Sequence, residues 1–188
     1  IQVPKGWKLM TLGNICDIDT GFAFKSDTFQ TSGIPLVRIG NIQNEKVEFK
    51  GSTIFLNKKF INKYQKFVVK KNDILIALSG ATTGKSAIYD KDEPVFLNQR
   101  VGRIKLKKYD VNLKKYVYYF IKKIGVEILK KSWGGAQPNI SPKSIEKFEI
   151  LIPNDEKILC KIVQKLDDIL GQLEEKKKAV FSIIEQNK

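Results

Sequence analysis

The sequence predicts an α+β fold: a mixed α/β body with a twisted sheet of mostly short strands and a few helices, then one long C-terminal helix of coiled-coil type. Three observations predict it. From residue 7 to about 106, short apolar runs alternate with turn-forming residues. Beyond residue 112 the apolar spacing changes to the three-and-four steps of a helix. From Asp155 a second helical pattern runs to the end of the chain.

Taken in order, Leu9–Asp19 reads as a first strand and 21–33 as a loop that mixes polar and aromatic residues. Ile34–Ile39 is a strand with Pro35 near its start, where a missing N–H does least harm. Val47–Leu56 and Phe67–Val69 are weaker strand segments. Asp73–Leu78 is a nearly continuous apolar run, the mark of a strand buried on both faces. Ser86–Tyr89, Val95–Leu97 and Val101–Leu106 complete the strands. Leu113, Tyr116, Val117, Phe120, Ile121, Ile124 and Ile128 then follow helical spacing, with Asn112 as the expected N-cap. Lys114, Lys115, Lys122, Lys123, Lys130 and Lys131 read as the solvated face of that helix. Ser132–Gly135 ends it, Phe148–Ile152 is a last strand, and Pro153 stops that strand.

In the terminal helix Leu159, Ile162, Leu166, Ile169, Leu173, Val180 and Ile183 follow alternating steps of three and four, with Lys176 in the slot between Leu173 and Val180. A helix of about 33 residues is roughly 50 Å long at 1.5 Å per residue. That is long for so small a body, so the apolar stripe is expected to pack on another long helix. The competing reading folds it back on its own domain. The expected division is a domain over 1–153 and a spacer or dimerisation helix over 154–188.

Charge follows the same division. The 188 residues carry a formal net charge of +14. Residues 154–188 hold seven acids and seven lysines, so the whole excess falls on 1–153, with 27 bases against 13 acids. A cationic body carried on a neutral helix suits a polyanionic partner, because neutralising phosphates releases condensed counterions. The bland reading is a lysine-rich composition; the segregation favours nucleic acid. Cys16 and Cys160 are far apart and belong to no CxxC pair, which offers no zinc site and suits a reducing, cytoplasmic setting. No apolar run approaches a membrane span, no signal peptide precedes Trp7, and the first residue is Ile1, as in an excerpt of a longer chain.

Catalytic motifs are not found. Gly80-Ala81-Thr82-Thr83-Gly84-Lys85-Ser86 resembles a P-loop, but Ser79 stands where the first glycine of GxxxxGK[ST] is required, and a strand follows instead of a helix. The segment reads as a hairpin whose small tip can approach a nucleic-acid backbone, with Thr82, Thr83 and Lys85 as donors. The chain has no histidine, the commonest general base and metal ligand. No carboxylate pair or cofactor fingerprint stands out, so no metal and no cofactor are expected. Other donor-rich spots are Lys25-Ser26, Arg38, Asn98-Gln99-Arg100 with Arg103, and Gln137 with Asn139. Arginine can read guanine through two hydrogen bonds, and asparagine or glutamine can read adenine in the same way. Two of the three arginines, Arg100 and Arg103, fall within four residues, beside Asn98 and Gln99, and are the expected base readers.

These blocks, in this order, resemble the target-recognition domain of type I restriction-modification specificity subunits. The similarity rests on Pro4-Lys5-Gly6-Trp7 with Leu12-Gly13, on Gly21-Phe22-Ala23-Phe24-Lys25-Ser26, and on the stretch from Gly33 through Arg38-Ile39-Gly40-Asn41 to Ile42. It continues through Asp73–Ala77 with Ser79-Gly80 and Gly84-Lys85, and Leu97-Asn98-Gln99-Arg100-Val101. Gly135 to Ser141, Ile150–Pro153 and the terminal helix close it. The resemblance implies a non-catalytic subunit that directs methyltransferase (M) and restriction (R) subunits to a bipartite site in double-stranded DNA. Such subunits carry two recognition domains held apart by two antiparallel helices, whereas this chain has one of each. It therefore implies either a fragment or a half that pairs through its helix, as a homodimer or with a second half. The alternatives are the recognition domain of a fused restriction-methylation enzyme, a metal-dependent nuclease, or an adaptor that binds no DNA.

Overall fold

Ile74–Ala77 is the most deeply set strand of the body, with all four residues buried. In the computed structural model, which describes residues 2–133 and 138–186, it is the eighth of twelve strands. The elements in chain order are β1 (Trp7–Thr11), α1 (Leu12–Ile15), β2 (Cys16–Thr20), β3 (Ile34–Val37), β4 (Ile42–Gln43), β5 (Lys46–Val47), β6 (Phe55–Leu56), α2 (Phe60–Lys63), β7 (Val68–Val69), β8 (Ile74–Ala77), β9 (Ser86–Ile88), β10 (Val95–Leu97), β11 (Val101–Leu106), α3 (Val111–Lys131), α4 (Pro142–Glu146), β12 (Glu149–Pro153) and α5 (Glu156–Gln186). This is the α+β class with a long terminal helix that the sequence predicts.

Two four-stranded sheets make the body. The first has the order β2-β11-β8-β9 and is antiparallel throughout. The second has the order β6-β3-β10-β7, with β3 and β10 parallel, Leu36 opposite Phe96. β1 and β12 pair antiparallel, and β4 and β5 form a small hairpin. Strand parity explains why β8 is apolar at every position. Ile74 and Ile76 face a core shared with Ile18, Ile104, Val117, Ile121 and Ile124, beneath α3. Leu75 and Ala77 face the second sheet, among Val37, Val95, Leu97 and Val101. β10 alternates in the same way: Phe96 points outward into an aromatic cluster, 5.4 Å from the Phe24 ring, with Leu36, Leu56 and Tyr64 around it. Each buried side chain of this size contributes roughly 1.5–3 kcal/mol.

Several expected elements are redrawn. Leu9–Asp19 is not one strand, because α1 interrupts it. Leu12 and Ile15 are three residues apart and would face opposite ways in a strand; one helical turn buries both on the same core. Asn14 Oδ1 closes the turn, accepting from the Thr11 amide at 3.0 Å and the Thr11 hydroxyl at 2.8 Å. Val47–Leu56 pairs only at its ends, in β5 and β6. The N-cap of α3 is Asp110, not Asn112; its carboxylate accepts from the Leu113 amide at 2.6 Å. The lysine face of α3 is only partly solvated. Lys115 pairs with Asp167 at 2.7 Å, Lys122 pairs with Glu45 at 2.6 Å, and Lys131 lies over the Phe148 ring. α2 and α4 are too short for periodicity to reveal.

α5 divides into two halves. Asp155 caps it, accepting from the Lys157 amide at 2.8 Å. Leu159 and Val163 are buried, and Asp167 accepts hydrogen bonds from Tyr119 and Lys115, which fasten the first turns to α3. Folding back on its own domain is therefore the correct reading for this half. The buried stripe runs through Val163, off the three-and-four register. From 171 to 185 every residue is exposed, and Ile169, Leu173, Val180 and Ile183 are 52–57% exposed. That stretch projects about 22 Å, at 1.5 Å per residue.

Candidate functional site

Three strands end side by side. β3 runs into Arg38, β10 into Asn98-Gln99-Arg100, and β8 into Leu78-Ser79-Gly80. Backbone hydrogen bonds hold the three ends together: the Asn98 amide donates to the Val37 carbonyl at 3.0 Å, and the Leu78 amide to the Arg100 carbonyl at 2.9 Å. The segment after α3 closes on the same place, with Gly80 donating to the Pro138 carbonyl at 2.8 Å and Ile140 to the Leu78 carbonyl at 2.9 Å. The Gly80–Thr82 turn also touches the Ile39–Asn41 turn, where the Thr82 hydroxyl reaches the Ile39 carbonyl at 3.4 Å.

The fold thus brings Gln99, Arg100 and Asn139 to one cleft, with Arg38 and Thr82 on adjoining turns and Lys85 reaching Gln43 of the Arg38 cleft, although the chain scatters them over 100 residues. Arg38, Lys85, Gln99, Arg100 and Asn139 are exposed. Among the described residues, neither Arg38 nor Arg100 has an ion-pair partner. The Lys85 ammonium reaches Gln43 Oε1 at 3.4 Å. Two clefts open on the rim. One, of about 440 Å³, is lined by Gln99, Arg100 and Asn139 together with Ser79. The other, of about 500 Å³, lies beside Arg38 and Asn41. Lys25 and Ser26 are exposed at the start of a 3-10 turn, close in sequence to Phe22, whose carbonyl accepts from the Gln99 amide at 3.2 Å.

Three expected site residues are buried or nearly so and engaged within the fold. Thr83 is 3% exposed and its hydroxyl donates to the Gly80 carbonyl at 2.7 Å, so it closes the turn and has no surface to offer. The tip itself is packed: Gly84 lies against Gly125 of α3 so closely that a Cβ would meet the Gly125 oxygen at 2.3 Å. Arg103 is held within the fold. Its side chain is 13% exposed and donates to the carbonyls of Val68 at 2.7 Å and Lys66 at 3.0 Å, flanked by Asp19 and Asp73 at 3.8 and 3.6 Å. It ties the first sheet to the second. Asn98 is 9% exposed and its Oδ1 accepts from the Arg100 amide at 3.2 Å, shaping the turn that presents Gln99 and Arg100. Gln137, with Gly134 and Gly135, lies outside the described residues.

Among the described residues no three metal-ligating side chains come together. Burial pushes the Cys16 thiol up to about 12, with Glu146 and Asp17 adding to the shift, so it is a core group without thiolate character. Among the described residues, no helix is long and apolar enough to cross a membrane. Ser79, Thr20 and Ser141 also line the Arg100 cleft and are not among the expected site residues, because a lone hydroxyl beside a turn carries no binding signal in the sequence.

The specificity subunit of the type I restriction enzyme MjaVIII from Methanocaldococcus jannaschii is 27% identical over 198 residues, covering 97% of this chain and 46% of the relative. The specificity subunit of type I restriction enzyme EcoAI from Escherichia coli is 28% identical over 174 residues, covering 90% of this chain and 29% of the relative. Among solved structures, a chain from a study of complex assembly and conformational transition in a type I R-M system matches with TM-score 0.73 at 19% identity, covering 95% of this chain and 42% of that one. The HsdS subunit from Thermoanaerobacter tengcongensis matches with TM-score 0.68 at 18% identity, covering 95% and 41%. The structural likenesses establish the fold, and the chain spans less than half the length of each of these proteins. Over residues 4–181 the sequence matches the family model of the type I restriction modification DNA specificity domain, and the chain belongs to that family.

Proposed function

We propose that this chain recognises a specific sequence in double-stranded DNA as one half of a type I specificity subunit, in the cytoplasm. It is not an enzyme. It directs methyltransferase and restriction subunits, which supply the chemistry, to a bipartite target. The observation that carries this reading is the rim where β3, β8 and β10 end. There, or on turns that adjoin it, Arg38, Lys85, Gln99, Arg100 and Asn139 are each exposed, on the part of the chain that holds all the excess positive charge. Guanidinium and amide side chains are the groups that pair with base edges, and the surrounding cations supply the attraction to phosphate. The family membership and the relatives' description as specificity subunits support the same reading.

The division into a reading domain over 1–153 and a measuring helix over 154–188 is part of the proposal. The exposed half of α5 presents Ile169, Leu173, Val180 and Phe181 to solvent. It pairs with a second such helix, from another copy of this chain or from a second half. Antiparallel pairing relates two identical readers by a dyad, so their half-sites are inverted and separated by a gap that helix length sets.

Fluorescence anisotropy with a labelled duplex tests the DNA reading. The expected result is binding that weakens steeply with salt, since each neutralised phosphate contributes a slope of about −0.9 in log K against log salt. Failure to bind any duplex at about 50 mM salt contradicts it.

A further inference from the structure

The cleft beside Arg100 differs in character from the rest of the rim. Its polar lining is Thr20, Ser79, Gln99, Arg100, Asn139 and Ser141: three hydroxyls, two amides and one guanidinium, with no carboxylate among the described residues. Its remaining walls are apolar, including Leu78, Pro138 and Ile140. The Ser79 Oγ is buried and has no hydrogen-bond partner among the described residues. A buried polar atom without a partner is a standing cost that a ligand oxygen can relieve. The guanidinium, the hydroxyls and the amide N–H groups of the cleft can each donate to an anionic oxygen, and no carboxylate among the described residues that line it opposes one.

Shape selects which part of a duplex can use it. Base edges lie at the floor of a groove about 8.5 Å deep, so side chains that read them must stand out from the protein. The sugar-phosphate backbone is the ridge between grooves, and in an undistorted duplex it is the part that can enter a recess. We propose that this cleft is a seat for one backbone phosphate of the target DNA, with Arg100 as its charge and the Ser79 hydroxyl as its buried donor. The inference rests on the DNA reading above and deepens it. It moves Arg100 from base reading to positioning, and leaves discrimination to other exposed groups such as Arg38. Ser79 is held by the segment that crosses it: the Gly80–Pro138 and Ile140–Leu78 hydrogen bonds bring Asn139 opposite Ser79. The seat is thus built from four chain segments that the fold fastens together.

The test compares the wild-type chain, Arg100→Ala, Arg100→Lys and Ser79→Ala by anisotropy over a salt series. Two duplexes are used, one selected from a random pool and one scrambled. Arg100→Ala is expected to weaken both duplexes by the same factor, about tenfold, and to reduce the steepness of log K against log salt by about 0.9. Arg100→Lys keeps the slope. Ser79→Ala is expected to weaken both duplexes about three- to tenfold with the slope unchanged, because it removes a neutral donor. A scan of single neutral methylphosphonates along the selected duplex needs no variant to fold. One position is expected to weaken the wild type while costing Arg100→Ala nothing further. The phosphate seat is overturned if Arg100→Ala weakens only the selected duplex, if its salt slope equals the wild type's, or if every methylphosphonate that weakens the wild type weakens it equally. A wild-type chain that binds neither duplex overturns the DNA reading itself, which is a distinguishable failure.

Discussion

Arg103 shows what a single residue can hide. In the sequence it stands three places from Arg100 beside Asn98 and Gln99, and linear closeness makes all four look like one reading patch. On β11, however, Arg103 lies opposite Leu75, on the face that meets the second sheet. Its acceptors, Lys66 and Val68, and its flanking carboxylates, Asp19 and Asp73, come from stretches that adjoin only after folding. No one-dimensional signal announces that. Removing a partly buried guanidinium strands two carbonyls and two carboxylates, so Arg103→Ala is expected to cost about 2–4 kcal/mol of stability. Thermal unfolding measures this, and Arg103→Lys is expected to restore less than half, since an ammonium lacks the planar fork. Base preference is expected to stay as in the wild type. Gly84 is a second residue-scale case. Its φ is +85° and its neighbour is the Gly125 backbone, so Gly84→Ala is expected to destabilise by more than about 1 kcal/mol, read as a lowered Tm.

Among the elements, strands were the more legible. β8 and β10 lie where apolar runs place them, because a strand between two packed layers is apolar on both faces. The one-turn helices α1, α2 and α4 were not legible, since four or five residues carry no period. Only α4 leaves a trace, in the Ser141-Pro142 start, where Ser141 Oγ accepts from the Ser144 amide at 3.1 Å. α5 was legible as a helix but not in how it divides. The fastening of its first half is polar as well as apolar. Burial alone would raise the Asp167 carboxyl, but hydrogen bonds from Lys115 and Tyr119 outweigh it and hold the group below the usual carboxylate range. A depressed carboxylate stabilises the folded state at pH values above its unfolded value near 4, and that stability is lost as pH falls through the lower folded value. The Tm difference between wild type and Asp167→Asn is therefore expected to be present near neutral pH and to shrink below about pH 4. A difference that is constant with pH would show that the carboxylate does not fasten the helix.

At the scale of the whole molecule, charge and length divide the chain in two. The body carries the positive excess, and the far half of α5 carries exposed apolar residues and no net work for the body's core. This separation is visible in the sequence, because charge and heptad spacing are summed along the chain and need no tertiary contact. The rim is not, because it depends on three strand ends and a return segment meeting in space. If the far half of α5 serves association, Leu173→Glu with Val180→Glu is expected to leave the Tm of the body unchanged and to shift sedimentation to that of a monomer. A variant that sediments like the wild type would remove α5 from the interface. The central claim, that a cationic reader is spaced from its twin by this helix, is tested most directly by selecting bound sequences from a random duplex pool with the purified chain. The account predicts an enriched motif of two inverted halves separated by a fixed, unselected gap; a pool that stays random after successive rounds would contradict it.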